Sequence, residues 1–399
     1  MVITLPDTIM DGLKFPIYEN FLFKVFAYID HGSVRVKTSG PLRFLMNRFT
    51  GPLVSIFEGE VPVRVTNDAL FFSTWIPPIP SLAFDRLVHS QIKNMMARTF
   101  WKLGMPASTN PEQVTISITE ECPNRCIHCA LPDTKNKTSL SVPAIKDIID
   151  QSVDMGATQI IFDGGEPMIY EGLEELVSYV PDGAIATVFT SGSGLTKEKA
   201  LALAEAGMFS VNVSLDSPKE GEHDRIRGRE GVFSEAMNAI SYSLYAGMLV
   251  DIYVVVAPHN IHDLDEFYDL AESMGVHELS FYEIVPTGRW IDHKKDILSP
   301  EHHQLLDEFV ERRSGGAVKV FCIPHVMSTT GCFAGRRWLH VTPQGDVLPC
   351  ACIPITYGNV NDEPLKDLWR RIQKTGIYRS PDCLMRDEKF RAEYIEGRD

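Results

Sequence analysis

The first 121 residues of this 399-residue chain contain no cysteine; its eight cysteines stand at positions 122, 126, 129, 322, 332, 350, 352 and 383. Disulfide frameworks belong to small secreted chains. This one is not small and lacks a charged–apolar–small-residue signal at its start, so metal or iron–sulfur ligation is the better reading of the thiols. No apolar run approaches the roughly 18–20 residues of a membrane span, and together with the missing signal this gives a cytoplasmic expectation. Positive charge is in deficit. The formal net charge of −15 argues against general affinity for nucleic acid. There are no internal repeats, no low-complexity segments and no glycine fingerprint of a nucleotide-binding open sheet. With 44% hydrophobic and 23% charged residues, the composition is that of a soluble globular protein with sizeable cores.

The residues present are unevenly spread. Residues 1–110 carry 11 Lys and Arg against 8 Asp and Glu and hold 11 of the 21 Phe, whereas the other 289 carry 27 against 45. The length suggests two or three domains, and the change of composition puts a junction near Ser108-Thr109-Asn110-Pro111. Strands are expected at Val114–Thr119, Gln159–Asp163, Ala184–Thr190, Ser210–Leu215, Val250–Val256 and Glu278–Ile284, with helices between them. Such alternation indicates parallel βαβ units. Six units predict an α/β fold, a partial (β/α)6 TIM-like barrel over 111–299, with its chemistry at the C-terminal strand ends. Residues 1–110 read as an α+β region for substrate or membrane interaction. Residues 300–399 read as a small further unit with a helix at Pro300–Arg313, a hairpin turning at Pro343-Gln344-Gly345-Asp346 and a helix near Leu365–Gln373.

Cys122-Pro123-Asn124-Arg125-Cys126-Ile127-His128-Cys129 follows the first strand of the series. Three thiolates in one loop can hold three corners of a cubane iron–sulfur cluster and leave one iron open to a chelating ligand. A structural zinc site would more often show paired C-x2-C spacing. Gly164-Gly165-Glu166-Pro167 ends the second strand; glycines permit close backbone approach, and a carboxylate accepts from an ammonium. Thr190-Ser191-Gly192 ends the third strand. Ser214-Leu215-Asp216 ends the fourth and is followed by His223-Asp224-Arg225-Ile226-Arg227-Gly228, where an arginine fork suits a carboxylate.

On these residues the sequence resembles the radical SAM superfamily, over about 114–290 and into the C-terminal part. The resemblance implies a [4Fe–4S] cluster on Cys122, Cys126 and Cys129, its open iron chelated by the amino and carboxylate groups of S-adenosylmethionine (SAM). One electron, from a reductant such as a flavodoxin or ferredoxin, would then cleave the sulfonium to a 5′-deoxyadenosyl radical. Gly164, Gly165, Glu166 and Pro167 match the GGEP motif that holds the methionyl amine, and Thr190 and Ser191 match the polar segment after it. Ser214 would contact the ribose and Arg227 the carboxylate, with Asp216 in the same SxD…HDxxRG stretch and Arg225 as the alternative arginine. Pro286-Thr287-Gly288-Arg289 matches a segment near the adenine. His128 stands where the family usually has a large aromatic, leaving open whether it packs on adenine or titrates. Asp163 stands where a small polar residue is commoner and has no role in that pattern.

Cys332-x12-Gly345-x4-Cys350, then Gly358-Asn359 and Leu365-x3-Trp369, resembles the SPASM/twitch extensions, which carry auxiliary [4Fe–4S] clusters. Five cysteines remain after the loop, so the resemblance implies a twitch-like domain with one auxiliary cluster and a spare thiol. Cys332 and Cys350 match the motif, and Cys383, after the helix, would be the third ligand. The fourth is Cys352, on the same strand face as Cys350, or Cys322, which would otherwise be a small buried hydrophobe.

The cofactor carries the radical chemistry, so the motifs name a reaction and not a substrate. The expectation is hydrogen abstraction from an unreactive carbon of a large or hydrophobic, lipid-like substrate. A helix over 82–103 interleaves Leu82, Leu87, Val88, Ile92, Met95, Met96, Phe100 and Leu103 with Arg86, Lys93, Arg98 and Lys102. That pattern suits peripheral docking at a membrane surface and equally packing on the barrel. The alternative is a maturase of a peptide or protein, or of a heme-pathway tetrapyrrole. No cobalamin-binding domain is apparent, which disfavours B12-dependent methylation. A non-catalytic Fe–S electron-transfer or scaffold protein is the reading from another class, and it leaves the GGEP segment, Ser214 and Arg227 unexplained.

Overall fold

The computed structural model describes residues 13–19, 24–40, 57–103, 109–131 and 137–396. Strands β1 (Lys14–Glu19), β2 (Lys24–Asp30) and β3 (Ser33–Ser39) form an antiparallel sheet. One face of it carries Phe15, Ile17, Val25, Ala27, Ile29 and Val34 into an apolar core of their own. Phe57, Phe72, Ile79, Phe84 and Val88 close that core. A short hairpin of β4 (Arg64–Val65) and β5 (Leu70–Phe71) leads to α1 (Leu82–Lys102). The α+β character expected of this region is present.

Among the described basic side chains of α1, Arg86 and Lys93 bond to residues outside the helix. Arg86 donates to the Val153 carbonyl, and Lys93 Nζ donates to Asn110 Oδ1 at 2.8 Å. Asn94, buried on the same helix, donates to Glu112 Oε1 at 3.1 Å. Ala83, Phe84, Val88 and Ala97 are buried, while Leu82, Ile92, Met95, Met96, Phe100 and Leu103 are exposed. Among the described residues, no helix is long and apolar enough to cross a membrane.

The barrel strands alternate polar and apolar positions, and successive side chains of a strand point to opposite faces. In β6 (Gln113–Thr119), Val114, Ile116 and Ile118 enter the main core, whereas Gln113 and Thr115 line an interior cavity. The helices α2 (Val142–Asp154), α3 (Leu173–Tyr179), α4 (Lys197–Glu205), α5 (Glu220–Arg227), α6 (Val232–Tyr245) and α7 (Leu264–Met274) connect β6 through β7 (Gln159–Gly164), β8 (Ile185–Thr190), β9 (Met208–Ser214), β10 (Leu249–Val256) and β11 (Glu278–Glu283). Helix α2 shows why these segments are helical. Ser141 caps its start by accepting from Ala144 N, and Ile145, Ile148, Ile149 and Val153 recur at helical spacing on the buried face. Helix α5 carries no such apolar stripe and was not legible as a helix; its end is fixed by Gly228 in the left-handed region.

Helix α8 (Pro300–Arg313) precedes β12 (Lys319–Cys322) and α9 (Ile323–Thr330), followed by the hairpin β13 (Trp338–Val341) and β14 (Val347–Leu348), then α10 (Leu365–Lys374) and α11 (Glu388–Tyr394). The sheet order is β12-β11-β10-β9-β8-β7-β6-β13-β14. All neighbours are parallel except the β13–β14 pair. Two strands from beyond residue 299 thus flank the six of the central series. The sequence reading did not place β12, which is four residues long, and read β13 only as half of a hairpin.

The floor of the barrel is plugged by the N-terminal region. Ser73 Oγ lies 2.8 Å from Glu278 Oε2, and the Thr74 amide and hydroxyl donate to the same oxygen at 2.6 and 2.7 Å. The Trp75 ring packs against Phe189, Tyr282 and Phe321. The open end is therefore the one carrying the C-terminal strand ends, where chemistry is sited in barrels of this kind.

Candidate active site

The three-cysteine loop follows β6 and is clasped from two sides. The amides of Arg125 and Ile127 donate to the carbonyls of Arg227 and Ile226 at 2.9 and 3.0 Å. On the other side, the Arg289 amide donates to the Cys129 carbonyl at 2.9 Å and Arg289 Nη1 to the Cys126 carbonyl at 3.1 Å. Glycine is required at both contacts. A Cβ on Gly228 would stand 2.6 Å from Arg125 O, and one on Gly288 would stand 2.1 Å from Cys129 O. The Pro286–Arg289 segment, read from the resemblance as lying near adenine, thus holds the loop itself, while Thr287 and Arg289 also line the cavity.

The glycines of the GGEP segment serve backbone packing. A Cβ on Gly164 would lie 2.4 Å from Thr119 O, and one on Gly165 would lie 2.1 Å from Glu121 O, so both let the strand leading to the cysteines pass close by. Glu166 is fully buried and does not line the cavity. Its carboxylate accepts from Thr190 Oγ1 at 2.6 Å, the Ser191 amide at 2.9 Å, Ser191 Oγ and the Met168 amide at 3.1 Å. Burial raises its pKa, against the pull of these bonds toward the charged form. Thr190 and Ser191 face the cavity with Glu166 and Pro167 behind them.

The same network reaches the loop through residues that the sequence reading missed. Asn124 donates to Ser191 Oγ at 2.8 Å and accepts from Arg229 Nε at 2.8 Å. Arg229 pairs with Glu235, which also accepts from Ser193 Oγ at 2.6 Å. Only Asn124, inside the cysteine motif, carried a sequence signal for this role.

Arg227 is buried, with Nε 2.6 Å from Asp216 Oδ2 and Nη1 3.6 Å from Cys126 Sγ. Asp216 stands behind the cavity wall with His128 Nε2 at 3.6 Å from its other oxygen. Burial works against the Asp216 charge, but Arg227, His128 and His223 hold its pKa below the usual carboxylate value. Burial lowers the pKa of His128. Arg225, the other candidate arginine, is spent on Glu222 at 2.6 Å on the exposed side of α5. Ser214 lines the cavity at the end of β9.

The cavity holds about 600 Å³ and is lined by Cys122, Cys126 and Cys129 on one side and by Cys350 and Cys352 on another. All eight cysteines are free thiols. Burial, then Glu166 and the neighbouring thiols, pushes Cys122 up to about 11. Among the C-terminal cysteines, Cys350 is raised first by its hydrogen bond with Cys352, and Cys383 by burial and then by Cys332 and Cys350. Cys332, pushed up to about 11 by burial, also feels Cys350. Cys350 thus neighbours Cys352 directly and is within electrostatic reach of Cys332 and Cys383. Cys322, pushed up to about 12 by burial, has Asp307 and Glu283 as its charged neighbours and no other cysteine among them. Among the described residues no three His, Cys, Asp or Glu side chains converge on a single metal ion; a four-iron cluster spreads its thiolates over separate irons and does not need that convergence.

The architecture and the two cysteine groups define the class: a radical SAM barrel followed by an iron–sulfur domain. The Radical SAM superfamily model matches residues 116–271, and the SPASM iron–sulfur cluster-binding domain model matches residues 332–391. The chain is a radical SAM superfamily protein with a SPASM domain, and so takes a SAM-binding [4Fe–4S] cluster and auxiliary cluster chemistry. It is 26% identical over 309 residues to the AdoMet-dependent heme synthase of Methanosarcina barkeri, covering 70% of this chain and 88% of that one. It is 27% identical over 297 residues to the PqqA peptide cyclase of Rhizobium meliloti, covering 70% and 79%. The crystal structure of Streptococcus suis SuiB bound to the precursor peptide SuiA shares the fold, with TM-score 0.55, 16% identity and coverage of 70% and 69%.

Proposed function

We propose that this protein is a radical SAM maturase that abstracts hydrogen from a peptide or tetrapyrrole substrate presented in the barrel cavity. The observation that carries the reading is that one cavity is lined by both Cys122, Cys126 and Cys129 and the C-terminal pair Cys350 and Cys352. The first three would hold the SAM cluster, which when bound supplies the electron that splits SAM into methionine and a 5′-deoxyadenosyl radical. Cys332, Cys350, Cys352 and Cys383 would hold the auxiliary cluster, with Cys322 left to the core. Thr190, Ser191 and Ser214 offer hydroxyls to the polar parts of SAM. Glu166 orients the first two from behind, and Asp216 fixes Arg227 at the cavity wall for a carboxylate. The lipid-like substrate gives way because Arg86 and Lys93 of α1 are tied to the barrel region, and the named relatives are a heme synthase and a peptide cyclase.

The test is anaerobic. Cluster-loaded enzyme given dithionite and SAM should release 5′-deoxyadenosine. Cys126→Ala should abolish this while keeping the auxiliary iron, and Cys352→Ala should lose auxiliary iron where Cys322→Ala does not. No 5′-deoxyadenosine from the loaded wild type, or undiminished release from Cys126→Ala, overturns the reading.

A further inference from the structure

One wall of the cavity is aromatic and belongs to none of the motifs above. Phe189 of β8, Tyr253 of β10, Tyr282 of β11 and Trp338 of β13 all line it. The Phe189 and Tyr253 rings meet edge to face with centroids 4.8 Å apart, Tyr253 and Tyr282 lie 4.5 Å apart, and Tyr282 and Trp338 lie 6.4 Å apart. Trp75 of the floor plug backs Phe189 and Tyr282, so the rings are held in place before any ligand arrives.

The polar tips of this wall are unused. The hydroxyls of Tyr253 and Tyr282 and the indole N–H of Trp338 have no hydrogen-bond partner among the described residues, and none of the three atoms is sealed from solvent. Trp75, by contrast, donates its indole N–H to Ser280 Oγ at 3.3 Å. Tyrosine hydroxyls and tryptophan N–H groups inside a protein ordinarily find a partner. Three that do not, on one wall of one cavity, offer hydrogens to a ligand. The Trp338 N–H can only donate, and the phenols, kept neutral by burial, can donate as well.

The wall runs between the two cysteine sets. Tyr253 is the register neighbour of Ser214 and is within electrostatic reach of Cys352. The charges that reach the tyrosines are acidic: Cys352, Asp216, Asp251 and Asp163 for Tyr253, and Tyr253, Asp251 and Glu278 for Tyr282. Such surroundings favour an uncharged group over one that carries carboxylates.

We propose that Tyr253, Tyr282 and Trp338 form the substrate subsite, which takes an uncharged aromatic side chain of a peptide, its ring against the two tyrosines and its flanking carbonyl oxygens accepting from the hydroxyls and the indole N–H. The inference rests on the radical SAM reading and narrows its substrate. A heme-pathway tetrapyrrole offers a flat ring as well, but its carboxylates would meet the acidic groups around the wall.

The experiment is saturation-transfer NMR under argon on cluster-loaded protein with its clusters oxidised and SAM present. The probe is N-acetylphenylalaninamide, an uncharged ring with two carbonyls. N-acetylleucinamide has the same carbonyls without the ring, and coproporphyrin III is a tetrapyrrole with carboxylates. The phenylalanine amide should bind about threefold or more tighter than the leucine amide, and tighter than coproporphyrin III. Tyr253→Phe, Tyr282→Phe and Trp338→Phe each keep a ring and remove one donor, and each should weaken that binding about two- to tenfold. Equilibrium dialysis of SAM against the same samples shows which variants are folded; for any that is not, the order of the three probes on wild type decides. Equal binding of the two amides, tighter binding of coproporphyrin III, no binding of the phenylalanine amide at millimolar concentration, or an affinity unchanged in the tyrosine variants overturns the subsite. Loaded wild type that binds no SAM overturns the radical SAM reading instead.

Discussion

At the residue scale, the arginine assignment turns on what each side chain is paired with. Arg227 and Asp216 form a buried pair at 2.6 Å, whereas Arg225 and Glu222 pair on the exposed face of α5. Breaking a buried pair by removing one partner leaves a charge without compensation, whereas exposed pairs contribute little. Asp216→Asn should therefore lower unfolding stability by about 3–5 kcal/mol, and Arg225→Ala should change it by no more than about 0.5 kcal/mol. Denaturant titration of both variants checks this, and equal effects would mean that Asp216 does not hold Arg227. The sequence displayed both arginines in one motif and had no means of separating them. What separates them is that one projects toward Cys126 and the other toward solvent.

At the scale of elements, the loop between β6 and α2 depends on contacts made far along the chain. A methyl group on Gly288 would meet the Cys129 carbonyl at 2.1 Å, and backbone at that distance cannot yield without moving the cysteine. Gly288 also has a φ of +51°, which disfavours any side chain. Gly288→Ala should fold but cut 5′-deoxyadenosine formation about tenfold or more, with iron lost from the SAM cluster and retained in the auxiliary one. Iron analysis with electron paramagnetic resonance would check it; full iron content with normal SAM cleavage would show that the clasp is dispensable. A second prediction concerns the floor, where Asp251 of β10 and Glu278 of β11 are register neighbours and both fully buried. Burial and then Glu278 raise the Asp251 pKa well above its ordinary value, and burial raises that of Glu278. A folded state that keeps a proton which the unfolded chain gives up above about pH 4 loses stability as pH rises from there through the raised value. The wild type should thus melt lower at pH 8 than at about pH 5.5, and Asp251→Asn should flatten that slope and add about 1–2 kcal/mol at neutral pH. A slope unchanged in Asp251→Asn would place the titration elsewhere.

At the scale of the whole molecule, the legible parts were those with local signatures. Runs such as Val250–Val256 and the cysteine loop announce themselves within a few residues. The pairing of β13 with β6, the Ser73–Trp75 plug and the Asn124–Arg229 bond join residues a hundred or more positions apart, and no local pattern encodes them. This has a thermodynamic consequence. The C-terminal part is stitched into the barrel by β13 and by Arg337 Nη2 on Glu112 Oε2 at 2.6 Å. Trp369 Nε1 on the Thr109 carbonyl and the Leu365 amide on Gln151 Oε1, both at 2.7 Å, add to the seam. The floor plug ties the N-terminal part in the same way. Domains joined by a small polar seam unfold separately, but here a strand of one part completes the sheet of another, so neither is complete alone. Calorimetry of the cluster-loaded protein under argon should show one cooperative transition. Trp369→Ala, which removes a buried ring and its hydrogen bond across the seam, should lower that single midpoint by about 3–5 kcal/mol in stability. Two resolved transitions in the wild type, or a Trp369→Ala effect confined to a separate C-terminal one, would mean that the SPASM part folds on its own and that the shared sheet does not bind the two functions into one unit.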